Sequence, residues 1–112
     1  MDLIRRSATG RMSELFGKSY IQADIFSRCL QITEKSRQIL KSEDPEIVAC
    51  LQAYADGVNE YINTPGRKLP LEFRILSYKP EPWRLEDIMC IIGLMGWSLD
   101  SRNLSDGLFY YQ

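Results

Sequence analysis

Asp44-Pro45-Glu46-Ile47-Val48-Ala49-Cys50-Leu51-Gln52-Ala53-Tyr54-Ala55-Asp56-Gly57-Val58-Asn59-Glu60-Tyr61-Ile62 is the stretch on which the fold turns. Asp44 offers a side-chain cap, and Pro45 suits the first helical position, where an N–H would be orphaned anyway. Ile47, Val48, Leu51, Ala55, Val58 and Ile62 then recur at steps of three and four, which lines one face of a helix.

Working outward, the same period recurs on both sides. Upstream, Ser19 followed by Gln22 fits a capping box. It opens a helix whose stripe is Ile21, Ile25, Cys29 and Ile32, widened by Phe26 and Leu30 and running on toward Leu40. Residues 2–16 place Leu3, Ile4, Ala8, Met12, Leu15 and Phe16 near one face, with Gly17 as the stop. Gly10 inside that helix costs about 1 kcal/mol relative to alanine, so its presence predicts the close approach of another backbone. Downstream, residues 63–83 hold four of the five prolines. Leu69-Pro70-Leu71-Glu72-Phe73 reads as one helical turn, and Lys79-Pro80-Glu81-Pro82 must be extended. Glu86 and Asp87 suit the first turn of a further helix, with Ile88, Ile91, Ile92, Met95 and Leu99 on one face. A last short helix is expected over residues 103–111. The expectation is an all-α chain: an irregular bundle of four to five helices with a proline-rich connection, residues 1–112 forming a single unit.

Composition narrows the chemistry. Lys and Arg number 14 against 15 Asp and Glu, and no basic run tracks phosphates, which argues against nucleic acid as a partner. At 45% hydrophobic residues the chain is too apolar for a disordered one. Histidine is absent, which removes Ser-His-Asp and Cys-His catalysis and His-ligated metals. Cys29, Cys50 and Cys90 show no C-x-x-C spacing, and each sits among apolar residues as a small buried hydrophobe would. No apolar run approaches the roughly 20 residues of a membrane span. Asp2, Arg5 and Arg6 interrupt any signal-peptide core, so this segment carries no targeting signal.

The candidate groups divide mostly toward architecture. Glu43-Asp44, Glu81 and Glu86-Asp87 sit at loops or helix starts, where capping and dipole compensation explain them. Arg5, Arg6 and Arg11 with Glu14 read as a solvated or ion-paired helix face, with docking against a partner subunit as the other reading. Tyr54, Tyr61, Phe73, Tyr78 and Trp83 gather around the central helix and the prolines, which they would fix to the core. Met95 and Leu99 read as core from spacing. With Trp97, Gly93 and Gly96 nearby they also fit one wall of an apolar pocket.

Six blocks in order give the chain a family resemblance. They are Met1-Asp2-Leu3-Ile4-Arg5-Arg6 through Gly10-Arg11-Met12-Ser13-Glu14-Leu15-Phe16-Gly17; Ala23-Asp24-Ile25-Phe26-Ser27-Arg28; Ala53 through Ile62; Leu69 through Phe73; Tyr78-Lys79-Pro80-Glu81-Pro82-Trp83; and Glu86-Asp87. Together they resemble the α subunit of the penicillin amidase family, amide-bond hydrolases with an N-terminal nucleophile.

The resemblance implies a precursor that cuts itself into a smaller α and a larger β subunit. The first residue of β would be nucleophile and, through its free α-amino group, its own base, a chemistry that needs no histidine. This chain would then be a helical fragment of the α subunit in a larger α+β hydrolase acting on linear amides. It would hold no catalytic residue and be inactive alone, with the β subunit as partner and a small-molecule amide as substrate. Gly93-Leu94-Met95-Gly96-Trp97-Ser98-Leu99 resembles the helix lining the acyl pocket, which makes Met95 and Leu99 the substrate-facing positions. Leu99 stands where some members carry an aromatic residue. Family members often bind calcium in the complete enzyme through one acidic α-subunit ligand, for which Asp106 is the nearest candidate. A lone Asp cannot hold calcium, which takes 6 to 8 oxygens. The resemblance also implies a periplasmic or secreted enzyme. Trp83-Arg84-Leu85 replaces the usual threonine-proline helix start, a lost cap worth about 1 kcal/mol. The competing class is a stand-alone helical interaction module without catalysis. Orphaned apolar faces would make the fragment self-associate.

Overall fold

A computed structural model of the chain describes the backbone of residues 1–110 and the side chains of residues 1–100. Among the described residues every regular element is helical. They are α1 (Asp2–Thr9), α2 (Ser13–Phe16), a 3-10 turn (Gly17–Tyr20), α3 (Ile21–Cys29), α4 (Ile32–Ser42), α5 (Pro45–Asn63), α6 (Leu71–Ile75) and α7 (Leu85–Tyr110). Five of these helices exceed two turns, so the all-α bundle is as expected.

Local chemistry sets most boundaries. The Asp44 carboxylate accepts the Glu46 N–H at 2.9 Å with Pro45 at the first position, and α5 runs unbroken from there. At the start of α7, Asp87 Oδ2 accepts the Arg84 N–H at 2.9 Å. That contact supplies part of the closure expected to be lost with the threonine-proline start. Residues 79–84 are irregular, in keeping with Pro80 and Pro82.

Two expected helices are each cut in two. Gly10 does not sit inside a helix; it ends α1 in the left-handed conformation, φ 65° and ψ 49°. The anticipated close approach is present there. A Cβ on Gly10 would lie 2.7 Å from the Asp24 carbonyl oxygen and 2.7 Å from Arg28 Cγ. The second break falls at Leu30-Gln31, where Gln31 takes φ 54° and separates α3 from α4. Ser19 and Gln22 form no capping box, since a 3-10 turn leads directly into α3 and no side chain caps it. Residues 103–110 make no separate helix because α7 continues through them.

The long helix α7 is the spine, flanked by α1 and α4 on one side and α5 on the other. Ala8, Ile32 and Cys90 form one buried cluster, with Leu30 and Leu94 against it. Ala55, Trp83 and Ile91 form the second, joined by Val58, Ile62 and Ile88. Among the described residues two small clusters stand in place of one core. Cys29 and Cys50 are exposed, contrary to expectation, because no described residue packs over their sides of α3 and α5; only Cys90 is buried. No described helix is long and apolar enough to cross a membrane.

Candidate functional site

The first helix turns its charged side inward. Asp2, Arg5 and Arg6 are each at most 7% exposed, whereas Ile4 on the expected apolar face is 42% exposed. Arg5 pairs with Asp2 through Nη2 and reaches Asp87 Oδ2 at 3.4 Å through Nη1. Its Nη1 also donates to the carbonyls of Glu81 at 3.3 Å and Pro82 at 3.2 Å. Arg6 donates to Asp2 Oδ2 at 3.3 Å and to Glu14 Oε2 at 2.7 Å. Arg11 bridges Glu14 and Glu81, with four contacts of 2.8 Å. The reading of these arginines as ion-paired holds; the reading as solvated fails for Arg5 and Arg6. The reason lies in the proline segment, whose carbonyls and carboxylates cover them from a distant part of the chain.

Aromatic rings close this lattice. The Arg5 guanidinium lies 5.0 Å from the Trp83 ring centroid and that of Arg6 lies 5.1 Å from Tyr78. The Tyr78 hydroxyl donates to Asp2 Oδ2 at 2.8 Å, and its ring meets Phe73 at 4.9 Å. Asn59 on α5 clasps the Trp83 backbone both ways: Nδ2 donates to the carbonyl at 2.9 Å and Oδ1 accepts the N–H at 2.7 Å. Phe73, Tyr78 and Trp83 thus fix the proline segment as expected. Tyr54 and Tyr61 instead face outward from α5, with Arg67 over Tyr61 at 4.8 Å.

A second clasp comes from α3. Asp24 Oδ1 and Oδ2 accept the N–H groups of Met12 and Ser13, both at 2.8 Å, which caps the start of α2. Arg28 Nε, four residues on, donates to the Gly10 carbonyl at 3.0 Å. Between them Phe26 meets Trp97 of α7 edge-on at 5.4 Å. The Asp-x-Phe-x-Arg spacing therefore grips the α1–α2 link with two residues and α7 with the third.

Electrostatics confirm a structural lattice. Hydrogen bonds from Arg11 hold the Glu81 carboxyl down at about 2. Arg11, with help from Arg6, lowers Glu14 as well. Burial pushes Asp24 up, yet the Ser13 and Met12 donors and Arg28 outweigh it and leave it lowered. Burial and the bond to Asp2 push Tyr78 up to about 12. None of these shifted groups is poised to exchange a proton near neutrality. Among the described residues no cluster of three or more acidic or cysteine side chains could hold a metal. The candidate calcium ligand Asp106 lies outside the described side chains.

Met95 and Leu99 are 58% and 63% exposed, so their placement in the core is overturned. They form a strip with Ile92 at spacings of three and four along α7. The spine is apolar nearly all round; α5 covers the side of Ile88 and Ile91, and among the described residues nothing covers this one. Sequence reasoning missed Asp2, Asn59 and the Asp24–Arg28 grip as organising residues. The spacing of Asp2 to Arg5 and Arg6, three and four, was the available signal.

The family model described as penicillin amidase matches residues 1–112. The chain is 33% identical over 106 residues to the acyl-homoserine lactone acylase QuiP of Pseudomonas fluorescens (strain Pf0-1), covering 95% of this chain and 13% of that protein. It is 33% identical over 101 residues to the penicillin acylase 2 proenzyme of Pseudomonas sp. (strain SE83), covering 90% and 13% respectively. It is 31% identical over 100 residues to the penicillin G acylase of Escherichia coli, covering 85% and 12%. The chain spans about one eighth of the length of these curated relatives.

Proposed function

The chain belongs to the penicillin amidase family, and from that premise we propose that it is the helical scaffold of an α subunit in a hydrolase of linear amides. The observation that carries this is a family match along residues 1–112 combined with 13% coverage of an acylase. In this reading the arginine lattice and the α3 grip hold α7 rigid against its neighbours. The bare strip of Met95 and Leu99 is one wall of the acyl pocket. The nucleophile and oxyanion donors come from a β subunit cut from the same precursor, a reading supported by the relative named as a proenzyme. Calcium through Asp106 and a periplasmic or secreted location belong to the same proposal. The relatives are named as acyl-homoserine lactone and penicillin acylases, and Leu99 in place of an aromatic favours a flexible acyl chain over a phenylacetyl group. The stand-alone module has no support from these relatives.

The test is reconstitution. The purified 112-residue chain should hydrolyse no amide, while the complete precursor carrying it should. In that precursor Leu99→Phe should shift KM toward aromatic acyl donors with little effect on kcat, since a wall contact acts mainly on binding. Turnover by the chain alone, or a Leu99→Phe enzyme with unchanged acyl preference, would overturn the proposal.

A further inference from the structure

The support of α7 changes along its length. Cys90 and Ile91 are buried, and Ile88 and Leu94 pack against the two clusters. Further on, the Trp97 ring meets Phe26 of α3 edge-on, with centroids 5.4 Å apart. Trp97 stands two positions from both Met95 and Leu99, and at about 100° per residue it lies nearly opposite them. On the same reverse face a Cβ at Gly93 would be 3.0 Å from Ile32 Cγ2 of α4. The bare strip is therefore backed from behind, by α4 at its start and by α3 at its middle.

This part of the helix needs backing. Gly93 and Gly96 are weak helix formers. Ser98 Oγ donates to the Met95 carbonyl at 2.9 Å, a back-bond that loosens and bends helices. Phe26 can supply the backing because α3 is itself pinned on either side of it in sequence. Asp24 accepts the Met12 and Ser13 N–H groups, and Arg28 donates to the Gly10 carbonyl. Phe26 is 51% exposed and belongs to neither buried cluster, so folding depends little on its ring. Trp97 also borders a cleft of about 250 Å³ with Leu30, Ile39 and Met89. Without Phe26 the indole has that space to swing into, and α7 can turn with it.

We propose that Phe26 is a positioning residue: it holds Trp97, sets how far Met95 and Leu99 project, and so selects the acyl-chain length that fits best. It touches no substrate. A side-chain tip about 5–6 Å from the helix axis moves about 1 Å for each 10° of rotation. One methylene in an apolar pocket changes discrimination about tenfold or more, so a movement of that size is enough. This rests on the reading of the strip as an acyl wall.

The complete enzyme carrying this chain is assayed on straight-chain N-acyl p-nitroanilides of increasing length, with kcat and KM read at each. Phe26→Ala should change the kcat/KM ratio between neighbouring lengths about tenfold, mainly through KM. Phe26→Tyr, which keeps the ring, should retain the wild-type profile. On a Trp97→Ala background Phe26→Ala should add nothing, because the path between them is gone. Met95→Ala tests the wall itself. If Met95→Ala shifts the profile and Phe26→Ala does not, Phe26 positions nothing and the wall stands. If neither shifts it, the wall reading fails and takes the role of Phe26 with it. Equal loss at every length in Phe26→Ala, or the same shift with and without Trp97, would mark a general structural effect and overturn the proposal.

Discussion

At Gly10 a single methyl group would meet the Asp24 carbonyl and the Arg28 stem at 2.7 Å, on a backbone already at φ +65°. Neither problem relaxes cheaply, because the carbonyl belongs to α3 backbone and the left-handed conformation disfavours a side chain. Gly10→Ala should therefore lower stability by at least about 2 kcal/mol, read as a shift in the urea midpoint. Gly57→Ala is the contrast: nothing lies within 4 Å and φ is helical, so a gain of about 0.5–1 kcal/mol is expected. Asp2 carries more partners than any glycine. It receives Arg5, Arg6 and the Tyr78 hydroxyl while itself only 7% exposed. Asp2→Ala would take the shared carboxylate from two buried guanidiniums, leaving Arg5 with Asp87 and Arg6 with Glu14, so a loss of about 2–3 kcal/mol is expected, a large part of a small domain's stability. Denaturant titration showing less than 1 kcal/mol would mean water reaches the lattice.

Among elements, the proline segment is held to α1 and α2 by charge more than by packing, and its pH response follows. The folded Glu81 carboxyl sits at about 2, below its ordinary 4.5, so it binds fewer protons folded than unfolded at pH between those values. Its contribution is complete above about pH 4.5 and is lost as pH falls through about 2. Solvent screening makes that contribution modest, since the side chain is half exposed. Glu81→Gln should flatten stability against pH within that window and leave it unchanged in shape above pH 5, with Trp83 fluorescence as the probe on a Trp97→Phe background. The contrast among elements also shows what the sequence could disclose. The helix α5 was legible because Asp44, Pro45 and the apolar stripe act within their own neighbourhood. The α3–α4 break was not, because Gln31 takes φ 54° without a glycine or proline to signal it. The arginine lattice lies between these. Its pairing with Asp2 shows in the spacing, but its burial depends on Glu81, Pro82 and Asp87, more than 70 residues away. The bare position of Met95 and Leu99 was hidden for a related reason: period tells which residues share a face, and only the neighbours tell whether that face is covered.

As a whole the molecule is a slab of 57 × 38 × 19 Å, two helix layers thick at its thinnest. Its accessible surface is 8398 Å², against about 6,300 Å² for a folded monomer of this mass. The excess is substantially apolar. Ile21, Ile25 and Phe26 on α3, Ile47 and Tyr54 on α5, and Ile92, Met95 and Leu99 on α7 all stand more than 40% exposed. The buried side has the opposite character, being held largely by charge pairs, which confer shape at little net gain in stability. Such a body should be soluble only when those faces are covered, and in isolation the nearest available cover is another copy. The purified chain is therefore expected to self-associate, its sedimentation coefficient rising with concentration across the micromolar range. Ile25→Lys with Met95→Lys, which place charge on two bare faces without touching the lattice, should lower that association while leaving the far-UV circular dichroism of the helices intact. A chain that sediments as a monomer at every concentration would show that these faces need no cover, and the scaffold reading of α7 would lose its physical basis.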